Sequence, residues 1–257
     1  MPTFNDRTGE RFKNRDELGG YEFIIVEYNN YNDLWIEFQD KYRARVHTSY
    51  AWCKKGIIKN PYHPSVLGVG FIGQGKYKAT INNNKTKCYT HWQNMLERCY
   101  DSKLKERLPT YIGCSVCEEA HCLQDFGEWF DENYYEIEGE QMCLDKDILV
   151  KGNKEYRFDR MVFVPQRINV LFVKGDAMRG DLPIGVCYNK KSNKYQAYCK
   201  TLEHLKYLGY YDTPHEAFLA YKTFKEQYIK QVADEYKGKI PDRLYDAMYA
   251  WEVEEDD

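Results

Sequence analysis

A chain of 257 residues is long enough for two or three small modules, and 43% hydrophobic with 30% charged residues is the balance of a globular protein. No apolar run approaches the ~18 residues of a membrane span. The formal charge of −3 excludes a uniformly basic nucleic-acid binder, yet it averages over unlike regions. Residues 1–80 carry 12 Lys and Arg against 9 Asp and Glu, residues 176–230 carry 9 against 6, and residues 231–257 carry 3 against 9. Nine scattered cysteines and no secretory leader point to reduced thiols in a cytoplasm.

In chain order, Tyr21–Glu27, Leu34–Phe38 and Ala44–His47 read as short strands separated by Asn- and Asp-rich turns, a small antiparallel sheet or barrel. Arg43, Arg45, Lys54, Lys55 and Lys59 are placed to meet a phosphate backbone or, equally, to form a solvated face. Val66–Tyr77 holds four glycines but lacks the Gly-Lys-Ser/Thr of a nucleotide loop, so it reads as a linker, prolonged by a polar tether at 79–87. Trp92, Met95, Leu96 and Cys99 have helical spacing, as do Phe126, Trp129 and Phe130. Cys114, Cys117, His121 and Cys122 look zinc-like, but no second Cys/His pair follows at the usual spacing, which favours buried thiols. His91 and His121 are spare candidates for a catalytic base.

The densest chemistry lies in 142–172. Leu144-Asp145-Lys146-Asp147 is followed by a Gly152-Asn153 turn, Tyr156, an apolar run Met161–Val164 closed by Pro165, and a short helical pattern ending Asn169-Val170-Leu171-Phe172. The unit reads strand, turn, strand, helix. Such a unit can aim Asp145 from a strand and Asn169 from a helix at one hard cation, Mg²⁺ or Mn²⁺, because both offer oxygen. The alternative is that Asp145 and Asp147 stand on an exposed strand and Asn169 caps a turn.

Beyond 176–183, a hinge-like stretch, come three alternating segments: Ile184–Asn189, Lys194–Lys200 and His204–Tyr210. Thr213-Pro214-His215-Glu216 then starts a helix with an apolar face of Ala217, Phe218, Ala220, Tyr221 and Phe224. The tail from Ala233 is helical, restarts at Pro241, and ends in an acidic run that is either solvated or folded over a basic surface.

Two resemblances sharpen these readings. Trp92, Met95, Arg98 and Cys99, then Leu144-Asp145-Lys146-Asp147, Gly152-Asn153, Tyr156, Val162–Val164 and Asn169, resemble a phage-type HNH endonuclease domain over about a third of the chain. The resemblance implies Asp145 and Asn169 on the metal, with Asp147 beside them. The His that usually follows the metal-binding Asp is Lys146 here. By analogy with a rare-cutting restriction enzyme of variant motif, Tyr156 becomes the proton acceptor and Lys146 a phosphate contact. The N-terminal sheet is similar to modules that accompany such domains.

Gly185-Val186, Lys194-Tyr195, Ala197, Tyr207–Tyr211, Thr213-Pro214 and Glu216-Ala217 resemble an APETALA2-type DNA-binding domain. That family lays a three-stranded sheet in the major groove. It implies Asn189, Gln196, Tyr198, Lys200 and Tyr207 as base readers and Lys190, Lys191 and Lys194 as phosphate contacts. A protein-binding sheet is the alternative.

The expectation is an α+β protein with a β-rich module at 1–78, a linker at 79–87, a nuclease-like domain at 88–175, a DNA-binding domain at 176–232 and a tail at 233–257. It would bind double-stranded DNA and hydrolyse phosphodiester bonds with Mg²⁺ or Mn²⁺, nicking as a monomer and cutting both strands as a homodimer. The other readings are a degenerate, DNA-binding regulator and a protein whose Tyr-rich, acidic surface meets a host partner.

Overall fold

The computed structural model describes residues 5–173, 181–255 and 257. Residues 176–180 of the hinge-like stretch, and the 175/176 boundary with them, lie outside the described residues. The fold is mixed α+β, as expected, and it divides into two compact units, Met1–Glu132 and Asn133–Asp257. The stretch expected to be nuclease-like, 88–175, contributes to both. Among the described residues no helix is long and apolar enough to cross a membrane.

The first unit opens on a four-stranded antiparallel sheet, β1 (Arg11–Lys13), β2 (Glu22–Asn30), β3 (Asp33–Phe38) and β4 (Arg45–Thr48), in that spatial order. Alternation sends Phe23, Ile25, Leu34, Ile36 and Phe38 to one face, and all five are fully buried. At about 1.5–3 kcal/mol for each large apolar side chain removed from water, they are the principal stabilisation of this sheet. A helix that periodicity did not reveal, α1 (Tyr50–Lys55), closes the core with Tyr50 and Cys53 and stops at Gly56, whose φ is +63°.

The expected tether is instead a hairpin, β5 (Thr80–Ile81) and β6 (Asn84–Lys85), turned by Asn82 and Asn83 with φ of +50° and +63°. Then follow α2 (Lys87–Tyr100), capped by Thr86, α3 (Ser102–Arg107), β7 (Ser115–Val116) and α4 (Leu123–Asn133). Trp92, Met95, Leu96 and Cys99 are all fully buried, as their spacing predicts. The glycine-rich stretch is packed structure as well as connection. A Cβ on Gly70 would stand 2.5 Å from Leu96, and one on Gly75 would stand 2.3 Å from the Gln124 amide. Gln124 in turn donates to the carbonyls of Ile72 and Tyr77 at 2.8 and 2.9 Å.

In the second unit, β8 (Met142–Asp145) leads through β9 (Glu155–Tyr156) to β10 (Val162–Pro165) and the single-turn helix α5 (Gln166–Asn169). The outer strands pair antiparallel, with Asp145 opposite Val162 and Met142 opposite Pro165. After the undescribed residues, β11 (Val186–Asn189), β12 (Lys194–Lys200) and β13 (Leu205–Tyr211) form an antiparallel sheet. The 22-residue helix α6 (Pro214–Glu235) follows, opened by a Thr213/Glu216 capping box, and α7 (Asp242–Tyr249) ends the elements.

One helix serves both halves of this unit. The first turns of α6 put Ala217, Phe218 and Tyr221 on the sheet residues Val186, Ala197 and Cys199. Its later turns put Tyr228, Ile229, Val232 and Ala233 on Val162, Val164, Ile168 and Leu171 of the hairpin and its helix. The acidic tail is anchored rather than loose: Val253 is buried, Lys151 pairs with Asp257 at 2.7 Å, and His215 meets Glu255 at 2.8 Å.

Candidate functional site

The hairpin and α5 build the strand-strand-helix unit that the sequence suggests. Asp145 ends β8, and its Oδ1 accepts from the main-chain N–H groups of Asp147 at 2.9 Å and Ile148 at 2.8 Å. Its other oxygen has no hydrogen-bond donor among the described residues. Burial pushes the Asp145 carboxyl up to about 6, with repulsion from Asp147 adding to the shift, because desolvation disfavours the charged form. Asn169, half-buried at the end of α5, makes no side-chain hydrogen bond among the described residues. Asp147 is ion-paired to Lys146 at 3.2 Å.

Tyr156 and Lys146, the expected base and phosphate contact, both lie on the buried side of this unit. Tyr156 is 2% exposed. Lys146 is 7% exposed and ion-paired to Asp147. Among the described residues, no three His, Cys, Asp or Glu side chains converge as a group that could hold a metal ion. The donors expected for a hard cation are the Asp145 carboxylate and the Asn169 amide, with Asp147 beside them. Two protein oxygens suit Mg²⁺, which keeps several of its waters.

The C-terminal sheet places the expected readers together. Opposite α6, its outward face pairs Asn189 with Lys194, Cys187 with Gln196, Gln196 with Tyr210, Tyr198 with Tyr207 and Lys200 with Leu205. The rings form a row, Tyr198 to Tyr207 at 5.3 Å and Tyr207 to Tyr210 at 5.6 Å between centroids. Lys190, Lys191 and Lys200 are exposed and have no ion pair among the described residues, whereas Lys194 is held by Asp212 at 2.9 Å. Asn189 is less free than a reader should be: its Oδ1 accepts from the N–H groups of Lys191 and Ser192 and so shapes the turn. Cys187 and Tyr210 were missed from the sequence, although cross-strand pairing with Gln196 puts both on its face.

In the first unit, Lys54, Lys55 and Lys59 are exposed, but Arg43 and Arg45 both lean on Glu37, at 3.5 and 3.0 Å. That pairing halves the positive charge the sheet offers a phosphate. No family model, no curated protein and no solved structure matches this chain.

Proposed function

We propose that this protein binds double-stranded DNA by laying the outward face of β11–β13 in the major groove. The observation that carries the reading is that face itself: Gln196, Tyr198, Lys200, Tyr207 and Tyr210 stand together on one side of a sheet whose other side is sealed by α6. A β-sheet fits the groove. An amide side chain can pair with adenine, a lysine with guanine, and a ring can meet a thymine methyl. Lys190 and Lys191, on the turn beside the face, are placed for phosphates.

A second reading adds metal-dependent hydrolysis of the bound DNA, in the manner the HNH resemblance implies. It is favoured by Asp145, a desolvated carboxylate with one uncommitted oxygen, on the same unit as the unpartnered amide of Asn169. A Mg²⁺ or Mn²⁺ ion held by these two would polarise a phosphoryl oxygen and lower the pKa of a bound water. Asp145 and Asn169 would orient that ion, and the two main-chain N–H groups on Oδ1 would fix the carboxylate. With Tyr156 buried, no side chain of this unit is assigned as the base.

A supercoiled plasmid tests both readings. Retardation in EDTA that is lost in a Tyr198→Ala/Tyr207→Ala variant supports DNA binding by the sheet, and absence of retardation refutes it. Conversion to open circle with Mg²⁺ or Mn²⁺, abolished in Asp145→Ala, supports hydrolysis. Retardation with intact supercoils in both metals identifies a binding protein with a silent nuclease-like core.

A further inference from the structure

A cleft of about 580 Å³ opens at the end of the C-terminal sheet where β12 runs past the start of β11. Leu171, Ile184, Val186, Leu202, Leu205 and Tyr221 give it apolar walls. Its volume lies within the roughly 300–1,000 Å³ typical of small-molecule sites. Lys225, from the middle of α6, also lines it. This lysine has no ion pair and no hydrogen bond among the described residues, and the buried Cys199 thiol acts on it electrostatically. Burial holds its amine below the ordinary lysine range. Half-buried and without a counter-ion among the described residues, this lysine is placed to take an anion, because desolvating an ammonium is costly unless an anion or several dipoles replace the water.

The chemistry of the occupant follows from what the walls offer and what they lack. A phosphate or nucleotide is normally gripped by several donors in fixed geometry, often an arginine fork. Among the described residues this lining has no arginine, and Lys200 is its one other cation. One half-buried ammonium beside hydrocarbon walls matches a single carboxylate on an apolar body. Two residues of the lining, Tyr198 and Lys200, also belong to the face proposed to read DNA.

We propose that this cleft binds a small acid with a hydrocarbon body, its carboxylate on Lys225, and that the occupant competes with duplex DNA for Tyr198 and Lys200. The competition rests on the DNA-binding reading, whereas the acid site does not.

Titration calorimetry of the full chain with sodium octanoate, and separately with octan-1-ol, reads the site directly. Octanoate binds saturably, and both the alcohol and the Lys225→Met variant lose about 10- to 100-fold in affinity, the range expected for one charge-assisted hydrogen bond. No saturable octanoate binding, equal affinity for the alcohol, or unchanged affinity in a folded Lys225→Met overturns the site. If Lys225→Met fails to fold by circular dichroism, the acid-against-alcohol comparison on the wild type decides alone. Fluorescence anisotropy with a labelled duplex reads the competition: saturating octanoate weakens duplex binding by the wild type and leaves Lys225→Met unaffected. Duplex affinity that ignores octanoate overturns the competition. A chain that binds octanoate but no duplex refutes the DNA-binding reading and the competition with it, and leaves the acid site standing.

Discussion

Replacing Asp145 with Asn keeps the side chain's shape and the oxygen that accepts from Asp147 and Ile148, but removes the charge. The folded carboxyl titrates near 6 against an ordinary 3.8, with burial the largest cause and Asp147 the next. At about 1.4 kcal/mol per pKa unit, holding the ionised form in the folded protein costs about 2–3 kcal/mol. The sign follows from proton counting. Between pH 4 and 6 the folded state holds a proton that the unfolded state has released, so wild-type stability falls as pH rises through this window. Below pH 4 both states are protonated and the cost vanishes.

Asp145→Asn should therefore match the wild type near pH 4 and exceed it by about 2–3 kcal/mol at pH 8, where the wild type carries the enclosed charge. Urea unfolding at the two pH values, followed by circular dichroism, measures the difference. If Asp145 holds a divalent cation, Mg²⁺ well above its Kd should stabilise the wild type at pH 8 and leave Asp145→Asn unmoved. A variant no more stable than wild type at pH 8 would refute the claim that this carboxylate is held at a loss. A carboxylate kept under such strain is a candidate functional group, because folding alone would favour the amide.

Gly185 has φ +77°, and a Cβ there would come within 2.1 Å of the Tyr221 ring, so Gly185→Ala should cost about 2–4 kcal/mol. A loss below ~1 kcal/mol in urea would show that the sheet and α6 can separate at little cost. Tyr156→Phe should leave duplex affinity and any plasmid nicking within about twofold of wild type, because a buried phenol is a packing group. Nicking abolished by that change would identify Tyr156 as the base. Lys190→Ala and Lys191→Ala should each reduce the slope of log affinity against log salt by about 1, without altering sequence preference. An unchanged slope would remove the turn from the interface.

The periodic elements were legible. Helical spacing in α2 and α4, alternation in β2, β3 and β12, and the Thr213-Pro214 start of α6 each gave the element that folds. The helix α1 was not, since six residues give too little periodicity, although Ser49 before it and Gly56 after it are its start and stop signals. Glycines were read as freedom where they mark crowding: Gly70 and Gly75 leave space for Leu96 and Gln124, which only tertiary packing reveals. Asn82-Asn83 looked like tether composition but satisfies the positive φ that a tight hairpin turn requires.

At the candidate site, the parity was in the sequence. Met142, Leu144, Lys146 and Ile148 all fall on the buried side, while Asp145 and Asp147 fall between them. That alternation alone puts Lys146 on the side of the apolar residues. The burial of Tyr156 was not legible, because a two-residue strand has no pattern to read. Asn189 illustrates a different limit. Alternation gave its face correctly, yet its side chain is drawn into the turn by the N–H groups of Lys191 and Ser192, a local bond that a strand pattern does not encode. Lys225 was hidden within a helix whose register showed only its apolar stripe.

The central claim is that one face of the C-terminal sheet binds duplex DNA, and anisotropy with a labelled duplex compares its two sides directly. Gln196→Ala and Tyr207→Ala, which alter the outward face, should each weaken binding by about 1–3 kcal/mol, while Leu219→Ala, exposed on α6, should leave it unchanged. Equal affinity in all three variants, or no duplex binding by the wild type, would contradict it.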